Sequence, residues 1–139
     1  MQFNRFHIFL ITILIGLTFF SCKKEDDKLT TDLIETSWEV LKIKKQGESK
    51  YTDAENTYVM EFTGKTEFEL NLDVNTCFGD YELKSDDYIN FKSMACTEMC
   101  CDSEFAMDLS KILLNITEYY KQGDELIFKG EGEIVLKAH

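Results

Sequence analysis

TYVMEFTGKTEFELNLD, residues 57–73, is the stretch on which the fold turns. In its first half Tyr58, Met60 and Phe62 fall on one face of an extended chain. In its second half Phe68, Leu70 and Leu72 alternate with Glu67, Glu69 and Asn71. A period of two is the mark of a strand with one buried and one solvated face. Gly64-Lys65 between the halves supplies a tight turn, so the two strands form an antiparallel hairpin.

Working outward, the same period recurs. Residues 37–45 carry Trp38, Val40, Leu41 and Ile43 before Gln46-Gly47 and read as a strand, followed by a polar loop over 47–56. Residues 80–84 pair Tyr81 with Leu83, Asp86-Asp87 turns, and residues 88–92 return with Ile89 and Phe91. Then the spacing changes. Phe105, Leu109, Ile112, Leu113 and Ile116 recur at helical intervals. Asp102 or Ser103 can cap the helix start, and Glu104 suits the positive end of its dipole. Residues 116–121 and 125–129 flank Gly123-Asp124 as a second hairpin, and residues 133–137 close the chain. This is a mainly β, α+β chain of about eight short antiparallel strands with one helix before the last three. Such a set closes most readily as a compact barrel-like sheet whose helix covers an opening.

The amino end is of another kind. Arg5 is the sole charged residue of the first 21, and residues 8–20 are apolar apart from Thr12, Gly16 and Thr18. That length suits the core of a signal peptide and is short for a membrane-spanning helix. It ends Phe19-Phe20-Ser21-Cys22, which resembles a bacterial lipobox. The expectation is a lipoprotein signal peptide over 1–21 and a lipidated Cys22 as the first residue after cleavage. Several acyl chains on one residue give stable anchoring where a single chain gives marginal binding. Lys23-Lys24-Glu25-Asp26-Asp27 follows. Lys24, Glu25 and Asp26 resemble the lysine-plus-acids signal that carries some lipoproteins to the outer face of the cell; a solvated charged tether explains them equally well. The tether is taken as 22–31 and the folded domain as 32–139.

Composition excludes several functions. The formal charge is −11, with every Asp and Glu beyond the leader. A body so acidic is repelled by nucleic-acid phosphates, so no nucleic acid is expected as partner. The two histidines are His7, in the leader, and His139, the last residue. That leaves no Ser-His-Asp or Cys-His arrangement, and no catalytic residue, metal or cofactor is assigned.

Four cysteines follow Cys22: Cys77, Cys96, Cys100 and Cys101. An even set in a small exported domain reads as disulfides. Three pairings are possible. A bridge between the neighbours Cys100 and Cys101 needs strained geometry and ranks last; that leaves Cys77 with one of Cys100 and Cys101 and Cys96 with the other, and of these two pairings Cys77–Cys101 with Cys96–Cys100 is the one favoured. A four-thiolate zinc site fits the spacing poorly, because structural sites present their ligands in pairs a few residues apart.

Trp38 near the domain start, Asn75-x-x-x-Gly79-x-Tyr81, Thr97-x-Met99-x-Cys101 before a helix, and YYKQGDEL at 119–126 together resemble the META domain family, which includes heat-shock-protein-J-like lipoproteins of bacterial envelopes. The resemblance spans residues 36–136. Where the family often has Gly-Cys-Asn, this chain has Asp73-Val74-Asn75. It implies a small β-rich module linked to heat and drug tolerance and envelope stress, with no established catalytic residues. Asn75, Gly79 and Tyr81 themselves read as structural: Asn75 bonding its own turn, Gly79 granting an unusual backbone angle, Tyr81 starting a strand.

The expected protein is thus a monomeric, non-enzymatic lipoprotein of the bacterial outer membrane. It is bound to the membrane through its lipid anchor, on the periplasmic or the outer face, and has a protein or small-molecule partner that the sequence does not name. The alternative is a lipocalin-like carrier of a small apolar ligand, which requires an open apolar interior.

Overall fold

The computed structural model describes residues 33–84 and 87–139. The signal peptide, Cys22, the Lys24, Glu25 and Asp26 signal and the tether lie outside the described residues. Among the described residues, nine strands and one helix follow in chain order. They are β1 (Ser37–Lys45), β2 (Thr52–Asp53), β3 (Val59–Phe62), β4 (Glu67–Asn71), β5 (Thr76–Lys84), β6 (Tyr88–Cys96), α1 (Glu104–Leu113), β7 (Ile116–Gln122), β8 (Glu125–Gly130) and β9 (Gly132–Ala138). Neighbouring strands pair antiparallel from β1 through β3 to β9, and β9 returns to β1. The eight long strands therefore form a closed barrel. Closure shortens the edges that could template association, although β6 meets β7 only through the Tyr88–Glu118 pair. The extra strand, β2, pairs with Lys42 and Ile43 of β1 outside this circuit. Its two polar residues were expected as loop.

The hairpin of residues 57–73 is β3–β4, with Met60 opposite Leu70 and Phe62 opposite Phe68. Both pairs are buried, so the alternation that makes the strands also makes the core. Tyr58, Tyr81, Phe91, Leu113, Tyr119 and Phe128 join them. The rings meet largely edge to face: Phe62 on Tyr81 at 4.9 Å, Phe68 on Phe91 at 5.1 Å and Phe91 on Phe128 at 5.7 Å between centroids. Edge-to-face contacts suit the ring quadrupole and fix the rings in place. Phe62, Phe68, Leu70, Phe91 and Leu113 fill the centre, where a carrier would need open volume.

Helix α1 starts at the N-cap Ser103, whose hydroxyl accepts from the Ala106 amide. It buries Ala106, Leu109, Ile112 and Leu113 against β1 and β9. Among the described residues no helix is long and apolar enough to cross a membrane.

Two strands are longer than their hydrophobic pattern indicates. β5 begins at Thr76, four residues before the expected 80, and β6 runs to Cys96, four beyond the expected 92. Gly79 lies inside this added ladder, opposite Phe68 on one side and Met94 on the other. Its φ is not positive, so the expected backbone angle is not its reason. A Cβ there would lie 2.1 Å from the Ser93 carbonyl oxygen and 2.6 Å from the Phe68 ring. Glycine is required by close approach. Tyr81 lies within β5 rather than at its start, and its hydroxyl donates to the Gly64 carbonyl across the barrel end.

Candidate functional site

The turn between β4 and β5 and the segment between β6 and α1 meet at one end of the barrel. Asn75 is the junction. It is 8% exposed, and its side-chain amide makes all four bonds open to it. Nδ2 donates to the Met99 carbonyl (2.7 Å) and to Asp102 Oδ2 (2.6 Å). Oδ1 accepts from the Met99 amide (2.8 Å) and the Thr97 hydroxyl (2.9 Å). An amide has two donors and two acceptor positions, so nothing is left over. Asn75 therefore ties two segments together instead of bonding its own turn, as its sequence context suggested.

Two carboxylates complete the clasp. Asp102 Oδ1 accepts from the backbone amides of Val74 (3.0 Å) and Asn75 (3.3 Å). Asp73 accepts through Oδ1 from Asn56 (2.7 Å) and Tyr58 (2.9 Å), and through Oδ2 from the amide (2.9 Å) and hydroxyl (2.7 Å) of Ser103. For Asp73 the largest influence is desolvation, which raises the pKa. The bonds from Ser103, Tyr58 and Asn56 together outweigh it and hold the carboxyl down at about 2. Asp102 is likewise lowered: desolvation pushes it up, and the bonds from Asn75 and the Val74 amide prevail. Both groups are ionised at neutral pH and act as acceptors.

The cysteines are arranged differently from expectation. Cys77 on β5 and Cys96 on β6 sit directly opposite each other and form a disulfide, with Cα atoms 3.9 Å apart. Cys100 and Cys101 are free and exposed. The expected Cys77–Cys101 and Cys96–Cys100 bridges are absent, because strand register places Cys77 against Cys96. That register is invisible when both strands are drawn four residues short. Cys101 has φ +94°, in the region that non-glycine residues avoid.

Around the clasp, apolar side chains stand in solvent: Val74 is 43% exposed, Phe78 51% and Met99 63%. Phe78, Met94 and Ala95, together with polar Glu67, Asp80 and Ser93, line an open groove of about 500 Å³ over β5 and β6. The disulfide and the clasp hold the two strands beneath it. Among the described residues no group of three or more His, Cys, Asp or Glu could hold a metal ion.

Asn75 and the four cysteines stand out in the sequence; Asp73, Thr97 and Tyr58 do not stand out as their partners. Asp102 and Ser103 were legible as helix caps. Ser103 is the cap, and it also ties α1 to Asp73. The signal for Asp73 was its place beside Val74-Asn75, read there only as a departure from Gly-Cys-Asn.

Comparison with known proteins agrees with this architecture. The family model described as the META domain matches residues 31–138. A comparison with curated proteins gives no match. Among solved structures, an NMR structure of a protein from Burkholderia xenovorans superposes with a TM-score of 0.62 at 14% identity, covering 81% of this chain and 87% of that one. A crystal structure of a duf4847 family protein from Bacteroides vulgatus superposes with a TM-score of 0.58 at 10% identity, covering 78% and 96%. At such identities the likeness is one of fold alone.

Proposed function

The chain belongs to the META domain family, and from that premise we propose that it is a lipid-anchored protein of the bacterial envelope whose barrel is a non-enzymatic binding module serving stress tolerance. The anchor is Cys22, and the charged residues after it hold the barrel off the membrane. The seam from an apolar leader to Ser21-Cys22 and then to Lys23-Lys24-Glu25-Asp26-Asp27 supports this reading.

One structural observation carries the preference for binding over catalysis. The polar groups gathered at the barrel end spend their hydrogen bonds on one another, leaving apolar Val74, Phe78 and Met99 to face outward. A polar cluster already satisfied within itself, with apolar side chains exposed on the same segments, suits a contact surface. A catalytic site would need polar groups free to meet a substrate.

The anchor is tested by replacing Cys22. In cells grown with radioactive palmitate, Cys22→Ser is expected to lose the label and keep its leader. A C22S protein that is still labelled would remove the anchor from the account.

A further inference from the structure

Cys100 and Cys101 have no role in the reading above. They are two adjacent free thiols, both in solvent, four and five residues past a cysteine that is already oxidised. The residues on either side are fastened. Met99 is held at both its amide and its carbonyl by the Asn75 side chain, and Asp102 is held by Val74 and Asn75. The pair therefore forms the crown of a pinned loop. Within it Cys101 takes a φ of +94°, a conformation that survives only where the surroundings impose it. The Cys101 thiol is raised in pKa, first by the hydrogen bond it shares with Cys100, then by desolvation and the charge of Asp102. A bridge between neighbours in sequence requires a backbone outside the usual regions, and Cys101 already occupies one. With no third ligand of the usual kinds grouped nearby among the described residues, a structural metal does not account for the pair.

We propose that Cys100–Cys101 is a modification site, a vicinal dithiol that closes reversibly into a disulfide by exchange with small disulfides of the glutathione type. The thiolate of one cysteine attacks a sulfur of the incoming disulfide, forming a mixed disulfide and expelling one thiolate, which takes up a proton. The neighbouring cysteine, losing its own proton, then attacks its partner's sulfur and expels the second thiolate. Two protein thiols are oxidised, one external disulfide is reduced to two thiols, and the protons leave on them. Closure of so small a ring sets the pair towards the easily reduced end of the disulfide scale, so it responds to strongly oxidising surroundings while Cys77–Cys96 stays closed throughout. The site stands apart from the question of anchoring at Cys22.

The test uses the full-length protein, equilibrated with graded ratios of oxidised to reduced glutathione, quenched in acid, alkylated and mapped by mass spectrometry. As the oxidised fraction rises, the peptide holding Cys100 and Cys101 is expected to lose two hydrogens and accept no alkyl group, with Cys77 still joined to Cys96. Cys101→Ser, at an exposed position, is expected instead to keep a glutathione adduct on Cys100 that the unaltered protein resolves at least about tenfold faster. Alkylation of both thiols at every ratio would overturn the proposal. So would a stable adduct on the unaltered protein, or a bridge from Cys96 to either thiol.

Discussion

At the scale of single residues, the clasp is the feature most exposed to test. Asn75→Ala removes four hydrogen bonds and leaves the Met99 amide, the Thr97 hydroxyl and a carboxylate oxygen of Asp102 short of a partner. The partners sit on exposed Thr97 and Met99 and half-buried Asp102, so water takes up part of the loss, and the substitution should lower unfolding stability by about 1–2 kcal/mol, read from the urea midpoint. A midpoint that does not move would show that water replaces the amide freely. Asp73 makes a prediction in pH. Its pKa is about 2 in the folded protein against an ordinary 3.8. A carboxyl depressed by folding stabilises fully above the unfolded value, and that contribution drains away as pH falls through the folded one. Stability should therefore drop between about pH 4 and pH 2, and the drop should be shallower in Asp73→Asn. Equal acid sensitivity in the two proteins would place the acid response elsewhere. The sequence named Asn75 but not its partners, because each partner is a polar residue of ordinary appearance. Only the meeting of two segments more than twenty residues apart gives them a shared task.

At the scale of elements, legibility followed hydrophobic alternation. β1 has the bounds its pattern indicates, and β3–β4, the helix and the last three strands lie where period and turns place them. The start of β5 and the end of β6 break the rule. Phe78 faces solvent and Gly79 has no side chain, so Thr76-Cys77-Phe78-Gly79 does not alternate. Ser93-Met94-Ala95-Cys96 offers little more. Those residues pair through their backbones and through Cys77–Cys96, neither of which shows in hydropathy. The disulfide pairing was missed for the same reason. Gly79 carries the prediction here. Gly79→Ala drives a methyl group into the Ser93 carbonyl and the Phe68 ring, and overpacking of this kind should cost about 3 kcal/mol or more. Gly64→Ala is the control, since the nearest atom to its added Cβ is a Glu67 carboxylate oxygen at 3.9 Å. Thermal unfolding that shifts equally in both variants would refute the close approach as Gly79's reason.

At the scale of the whole molecule, a closed and filled barrel follows an amino end that, on the proposed reading, serves export. The barrel could be anticipated because eight amphipathic strands have few ways to hide both their apolar faces and their edges. Its filled centre could not, since the same alternation lines a cavity or packs a core. What distinguishes them is the size and orientation of Phe62, Phe68, Phe91 and Phe128, which interlock across the middle. The central claim is that this globule is held at a lipid boundary through Cys22. Intact-mass analysis of the protein isolated from cell envelopes tests it most directly. The account predicts a chain that begins at Cys22 and carries a thioether-linked diacylglycerol on its sulfur. A chain that begins at another residue, or at Cys22 with an unmodified thiol, would contradict it.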